Sequence, residues 1–301
     1  MHFIFYRTAG MPTASPLALP PQIEDLISRG ALFAVNHSGG KDSQAMYLYL
    51  RQFVPADQIV HIHANLGVVE WAGAVEHIKA TTAGEPLRVC SARRTLLEMI
   101  EERGMFPSPT RRQCTSDLKR GPIERTIRKI TRERQALGLE AWGLVVNCMG
   151  MRAQESPKRA KLKPFQYSVR NSKANREWYD WLPIHDWTEK QVFEAIAQAG
   201  QQPHVVYSLG MRRFSCVFCI LASEADLKTA ARLATERPEL LNDPHLYRKY
   251  VHLERSTGQV MLMPDKKRGR RTLEDITGVY IDPARTITKA SFTPDMQTSA
   301  A

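Results

Sequence analysis

The sequence predicts an α/β fold, a doubly wound and mostly parallel sheet with a helical C-terminal extension. Three observations predict it. Short apolar runs at 32–35, 59–64, 87–90 and 143–148 alternate with segments whose apolar residues recur at helical spacing. Strands that alternate with helices of about 10 to 15 residues imply crossover units and a sheet covered on both faces. Past Ser223 the strand-like runs stop and helical spacing continues.

In chain order, residues 8–22 are rich in Pro, Ala, Ser and Thr and are expected as a flexible lead-in, within which Met11 offers a second candidate start. The apolar Met1 to Tyr6 is broken by Arg7, too short a run for a secretory leader. A first helix is expected over 23–29, closed by Gly30. Strand 32–35 leads through a Ser/Gly-rich turn to a helix over 44–53. Strand 59–64 leads to a helix near 69–82, and strand 87–90 to a helix near 95–103. In a helix over 123–137, opened by Pro122, the residues Ile123, Ile127, Ile130 and Leu137 line one face, and Arg125, Arg128, Lys129 and Arg132 line another. The run 143–148 ends in a Gly-rich turn. Ser223 is the expected N-cap of the first C-terminal helix, a second starts near Pro238, and the basic run 266–271 follows.

Length and composition bound the function. A chain of 301 residues with 43% hydrophobic and 24% charged residues is a folded protein of about one or two domains. Its longest apolar stretches, such as 31–35, fall far short of the roughly 18 residues that suggest a membrane span, so no membrane contact and a cytoplasmic location are expected. Five cysteines are an odd and sparse set, which fits reduced thiols rather than a disulfide framework. The 42 Lys+Arg against 31 Asp+Glu leave +11, which serves either a solvated basic surface or the binding of polyanions such as nucleic acid or nucleotides.

The segment Ser38-Gly39-Gly40-Lys41-Asp42-Ser43 lies between the first strand and its helix. There, backbone N–H groups and the positive helix end favour an anion, and glycines let the chain approach it closely. It is not the G-x-x-x-x-G-K-[ST] loop of ordinary triphosphatases; a tight turn without a ligand is the alternative.

This segment resembles the pyrophosphatase loop of the adenine-nucleotide alpha hydrolase superfamily. Four further segments resemble its phosphoadenosine phosphosulfate (PAPS) reductase branch: 63–67, 150–156 with Arg159, 183–188 and 207–219. Together they span about residues 31–222 in the family's order. The resemblance implies an adenine nucleotide alpha hydrolase-like domain over 23–223, after a lead-in over 1–22 and before a helical extension with a basic tail over 224–301. It also implies ATP with Mg²⁺, with Ser38, Gly39, Gly40, Lys41, Asp42, Ser43, Asn65, Gly150, Arg152 and Arg159 at the nucleotide and Lys41, Asp42 and Arg152 acting in catalysis. Glu155 would orient Arg152 or help hold Mg²⁺. Family members commonly carry an aspartate where this chain has Asn65. Independently, arginine suits bidentate phosphate contact. His185 and Asp186, adjacent in an expected extended segment, point opposite ways and are read as structural, with Trp187 capping a helix.

Cys216-x-x-Cys219 is a chelating pair, and Cys114 is a third thiolate for the fold to supply. Family members with a four-iron cluster carry a Cys-Cys pair before the later C-x-x-C, and here Gln113-Cys114 replaces it. The resemblance thus implies a 4Fe-4S cluster on three thiolates with an open corner, as in cluster-dependent sulfur-transfer members. A Zn²⁺ site completed by a histidine such as His204, and a set of free buried thiols, are the alternatives. Cys90 reads as core, and Cys148 as core, a persulfide carrier or a fourth ligand.

The reductases resembled here attack the sulfonucleotide with a cysteine near the C-terminus, and no cysteine follows Cys219 in this sequence. The chain is also similar to DNA phosphorothioation sulfurtransferases. The expected function is therefore an ATP pyrophosphatase-type sulfurtransferase that adenylates a nucleic acid, DNA before RNA, and supports iron–sulfur-dependent sulfur insertion. A cysteine desulfurase or other sulfur donor is the implied partner, and a homodimer is one assembly open to it. The alternatives are an adenylylsulfate or PAPS reductase releasing sulfite, and a nucleotide- or cluster-sensing DNA-binding regulator.

Overall fold

The computed structural model describes residues 19–264 and 267–281; most of the expected lead-in and Lys266 of the basic run lie outside them. The elements in chain order are Pro21–Ser28 (α1), Leu32–Asn36 (β1), Lys41–Leu50 (α2), Ile59–Ala64 (β2), Ala74–Thr81 (α3), Leu87–Cys90 (β3), Leu96–Arg103 (α4), Gln113–Thr115 (α5) and Gly121–Ala136 (α6). After these come Leu144–Met149 (β4), Pro157–Ala160 (α7), Phe165–Tyr167 (β5), Glu177–Trp181 (β6), Glu189–Gln198 (α8), Glu224–Glu236 (α9), Leu246–Thr257 (α10) and Leu273–Thr277 (α11). They form two compact units. The first takes the described residues up to Leu66 with Gly73–Arg93 and Thr115–Ser215, and the second takes Gly67–Ala72, Arg94–Cys114 and the described residues from Cys216.

The first unit holds the sheet, in the order β3-β2-β1-β4-β6-β5. All neighbours are parallel except β5, which runs antiparallel along β6. Helices cover both faces because strands buried on both sides are apolar throughout, as Leu32 to Val35 are. On one face Phe33, Val35 and Val146 pack with Ile23 of α1, Met46 of α2 and Ile196 of α8. On the other, Leu32, Ala34 and Val145 pack with Ile127 and Ile130 of α6. The doubly wound sheet expected from the strand–helix alternation is what the chain forms.

Several boundaries differ from expectation for local reasons. Helix α2 starts at Lys41, so the Lys-Asp-Ser of the loop forms its first turn. The helix expected near 69–82 begins only at Ala74, after Gly73 turns the backbone to φ +76. The residues before it join the second unit, where Trp71 bridges Leu241 and the Ala72 N–H donates to the Leu240 carbonyl. That bridge also explains why Pro238–Leu240 is a single turn and the next long helix starts at Leu246. Leu137, placed by spacing on the apolar face of α6, is 76% exposed because it caps the helix instead of continuing it. Ser223 caps α9 by accepting from the Asp226 N–H, as its position suggested.

In the second unit, α10 packs against α4, α9 and α11. Phe218 and Tyr250 lie at its centre, both about fully buried. No helix among the described residues is long and apolar enough to cross a membrane.

Candidate functional site

In the first unit β1 pairs with β2 on one side and β4 on the other, so successive connections leave it in opposite directions. The carboxyl ends of strands at such a point frame a ligand crevice in doubly wound sheets. Two loops meet there, Ser38–Gly40 after β1 and Gly150–Met151 after β4. A Cβ on Gly150 would lie 2.9 Å from the Asp42 carbonyl oxygen, so only glycine lets the β4 loop rest on the first turn of α2. Gly39 holds φ +80, and a Cβ on Gly40 would meet the Phe214 side chain at 2.9 Å.

The loop amides are held by side chains. The Ser38 N–H donates to Ser43 Oγ at 3.1 Å, the Gly39 N–H to His37 Nδ1 at 3.1 Å, and the Lys41 N–H to Tyr207 Oη at 3.1 Å. Ser43 Oγ donates to the Gly40 carbonyl at 2.9 Å. Tyr207 thus caps a helix whose N-cap, Gly40, has no side chain to do so, and its hydroxyl also accepts from the Phe214 N–H.

The charges around this turn are balanced. Lys41 Nζ stands 3.1 Å from Asp42 Oδ2 and 3.2 Å from Glu189 Oε1, beneath the Phe193 and Tyr207 rings. Arg152 Nε donates to Asp42 Oδ1 at 2.6 Å, and its Nη1 to Gln154 Oε1 at 2.9 Å and to the Trp187 carbonyl at 3.3 Å. The Lys41 and Arg152 side chains are only 3% and 4% exposed. Glu155 accepts from the Arg152 N–H and pairs with Arg159, so it orients both residues. The Arg159 carbonyl lies 3.0 Å from His185 Nε2. His185 and Asp186 form a turn, not an extended segment, and their side chains meet at 3.1 Å. Thr188, not Trp187, caps α8.

Behind the loop lies a histidine cluster. His37 and His61 are buried with ring centroids 5.8 Å apart, and His61 packs edge-on against Tyr47. Because His37 Nδ1 accepts from Gly39, its proton belongs on Nε2, which has no hydrogen-bond partner among the described residues; neither have the two ring nitrogens of His61. Burial lowers the pKa of both, His37 far below the ordinary 6.5, aided by His61, His77 and His63, and His61 to about 4. His63 Nδ1 stands 3.0 Å from the His37 carbonyl. Asn65, just past β2, donates its N–H to the Cys90 carbonyl at 2.8 Å.

In the second unit Phe218, inside Cys216-Val217-Phe218-Cys219, packs on Tyr250 at 5.4 Å between ring centroids, and Phe106 stacks on Tyr250 from another side. Burial, then Cys216, Cys219 and Cys114, push the Tyr250 hydroxyl's pKa well up. Tyr250 Oη has no hydrogen-bond partner among the described residues. Among the described residues no group of three or more His, Cys, Asp or Glu is arranged to hold a metal ion. His204, the zinc alternative, uses Nδ1 to accept from the Val206 N–H and packs on His77 and Phe214. Cys148 is fully buried and its thiol pKa is driven well up by burial and then by Asp180, the surroundings of a core thiol. Cys90 is partly buried at the edge strand.

The basic helix is cationic as expected, and Arg176 joins it. Burial, then Arg125 and Arg132, lower the Arg128 pKa; burial, then Arg128 and Arg132, lower that of Arg176. The C-terminal basic run is engaged within its own unit: Arg268 and Arg271 pair with Glu224 at the start of α9, and Arg270 donates to the Gly258 carbonyl.

With this geometry in hand, comparison with known proteins finds that residues 33–222 match the phosphoadenosine phosphosulfate reductase domain model. The chain belongs to that family. An uncharacterised 37.8 kDa protein of Escherichia phage 186 is 28% identical over 185 residues, covering 60% of this chain and 51% of the phage protein. The chain thus matches about half the length of that relative. Among solved structures, PAPS reductase of Candida auris in complex with phosphate aligns over 67% of this chain and 90% of its own, at 13% identity and a TM-score of 0.44. Candida glabrata FMN adenylyltransferase with FMN and an ATP analogue aligns over 62% and 54%, at 16% identity and a TM-score of 0.37.

Of the residues first assigned to the nucleotide in this PAPS reductase-family domain, Ser38 to Ser43, Gly150 and Arg152 come together at one strand end. Arg159 is held through Glu155, and Asn65 ends the neighbouring strand. Glu189 and His37 also build the site and lay in none of the resembling segments; Tyr207 and Trp187 lay in two of them without a site role, which comes from contacts up to 166 residues apart in sequence.

Proposed function

We propose that this PAPS reductase-family chain is an ATP pyrophosphatase-type sulfurtransferase acting on a nucleic acid, DNA before RNA. The observation that supports it is the meeting of Lys41, Asp42 and Arg152 at the switch point of the sheet. Two nearly buried cations at a helix N-terminus suit a triphosphate tail. They are neutralised by Asp42 and Glu189, so a bound polyphosphate must displace those carboxylates or arrive with a cation that bridges to them. Mg²⁺ fits that need, with Asp42 as its nearest carboxylate.

In this reading an acceptor oxygen attacks the α-phosphorus of ATP and the α–β bridging bond breaks, giving adenylated acceptor and pyrophosphate. Lys41 and Arg152 hold the negative charge that grows on the leaving pyrophosphate. Gly150 lets the β4 loop carry Arg152 against α2, and Tyr207 fixes the first turn of that helix. An iron–sulfur cluster on Cys114, Cys216 and Cys219 would supply an iron able to hold sulfide. The arginine face of α6 with Arg176 would take acceptor phosphates, and a cysteine desulfurase or another donor would supply sulfur.

A second reading, reduction of a sulfonucleotide, draws on the family itself. It needs a nucleophilic cysteine, and the deep burial and raised pKa of Cys148 weigh against that residue. The deciding experiment is pyrophosphate release from ATP by anaerobically purified protein, with Mg²⁺ and duplex DNA or RNA, beside sulfite release from PAPS with a thiol donor. Pyrophosphate that vanishes in Lys41→Ala is expected. Sulfite alone would replace this proposal with the second.

A further inference from the structure

A cavity of about 360 Å³ lies in the second unit, walled by α10 with the turn after it and by the start of α11 with the residues before it. Sites for small molecules run from roughly 300 to 1,000 Å³, so a small ligand fits. None of the lining residues belongs to the unit that holds the phosphate loop. Val251 and Val260 give the cavity an apolar wall, and Glu254 and Glu274 are its buried carboxylates. Both carboxylates are already engaged. Glu254 accepts from the Met261 N–H at 2.7 Å and the Leu273 N–H at 2.8 Å. Glu274 accepts from Arg255 Nη2 at 3.0 and 3.1 Å and from the Ile281 N–H at 2.7 Å. The donors on the lining are not used up. Arg268 and Arg271 pair with Glu224, whereas Arg270 between them donates to the Gly258 carbonyl and meets no carboxylate among the described residues. The neighbouring Gln259 side chain makes no hydrogen bond among the described residues.

We propose that this cavity binds a small carboxylate with an apolar body, its charged end on Arg270 and Gln259 and its body on Val251 and Val260. A guanidinium takes a carboxylate bidentately, and an apolar body removes the valine wall from water. A cationic ligand would face Arg255 and Arg270 with both carboxylates engaged. Inorganic phosphate would leave the valine wall wet.

Benzoate is the probe, titrated into the full chain by calorimetry and followed by thermal unfolding, beside benzylamine, benzyl alcohol and inorganic phosphate. One benzoate per chain is expected, with a Kd of about 1 mM for so small a ligand and a raised melting temperature. Arg270→Gln should weaken benzoate by about tenfold or more, the loss of a charge-assisted pair. Arg270→Lys keeps the charge without the fork and should retain part of the affinity. Val260→Phe fills the apolar side and should abolish binding. Benzylamine and benzyl alcohol should bind more weakly than benzoate, and so should phosphate. The absence of saturable benzoate binding would overturn the proposal, as would an affinity that neither Arg270→Gln nor Val260→Phe changes. Benzylamine or benzyl alcohol bound as tightly as benzoate would show that no carboxylate is recognised, and phosphate bound as tightly would show that the apolar wall takes no part; either result overturns it.

Discussion

The histidines behind the phosphate loop make stability depend on pH in a window that ordinary carboxylates do not explain. His61 is buried with its Nε2 4.0 Å from Glu85 Oε2 and neither ring nitrogen hydrogen-bonded among the described residues, and burial outweighs that carboxylate and takes its pKa from 6.5 to about 4. Between those values the unfolded chain binds a proton that the native protein refuses. Stability is therefore intact above pH 6.5 and is lost as pH falls toward 4, below which this group takes no more. Integrating over that window, His61 alone removes about 2 kcal/mol between pH 7 and pH 5. His37, lowered further, acts in the same direction. His61→Leu deletes the titrating group at similar volume and leaves no polar atom unpaired. Urea unfolding of both proteins at pH 7 and pH 5 should give similar stability at pH 7 and a loss on acidification smaller by about 2 kcal/mol in the variant. An identical pH dependence would refute the reasoning, because it would mean that His61 is hydrated or protonated in the native state.

Other predictions test the site and the surface. Gly150→Ala forces the β4 loop off α2 and should cost about 1–3 kcal/mol in urea unfolding together with nucleotide affinity. Asp42→Ala strands Arg152 with neutral partners and should destabilise by about 3 kcal/mol; Asp42→Ala with Arg152→Met should recover part of that loss. In native protein freed of iron and sulfide, Cys148 should resist a thiol reagent and react only on unfolding, while the part-exposed Cys114 and Cys219 react natively. Replacing Arg125, Arg128 and Arg132 by Gln should lower the salt slope of duplex DNA binding by about 0.9 for each phosphate that the variant no longer neutralises.

How much of this was legible in the sequence follows the range of the interactions. Strands β1 to β4 and their helices were readable from apolar runs set between helical spacings; burial on both faces explains β1 and β4, whereas β3 is an edge strand with Arg88 and Val89 exposed. Strands β5 and β6 were not, since Phe165–Tyr167 is three residues long and Glu177–Trp181 mixes acids with aromatics. In β6 the acids are used: Asp180 accepts from Asn147 and from the Trp178 indole, and Glu177 from Tyr179 and Arg29. The second unit's claim on Gly67–Ala72 was invisible because it rests on a bridge between Trp71 and Leu241, far apart along the chain.

In the site, the glycines and charges at the loop announced themselves, but their present bonding did not. A reader of Ser-Gly-Gly-Lys-Asp-Ser sees free amides and a free lysine awaiting phosphate. In the folded chain those amides are held by His37, Ser43 and Tyr207, and the lysine by Asp42 and Glu189. The reason is that an uncompensated buried cation or donor costs more than the fold can spare, so the protein supplies internal stand-ins for the anion. Affinity for a triphosphate then depends on the difference between the ligand's bonds and the internal ones. Weakening an internal partner that does not touch the ligand should therefore strengthen binding. Glu189, half exposed and joined to the site through Lys41 and the Gln154 side chain, is the residue on which this can be tried. Glu189→Gln should bind inorganic pyrophosphate more tightly in calorimetry, and a weaker or unchanged affinity would show that Glu189 takes part in ligand binding or that Lys41 does not.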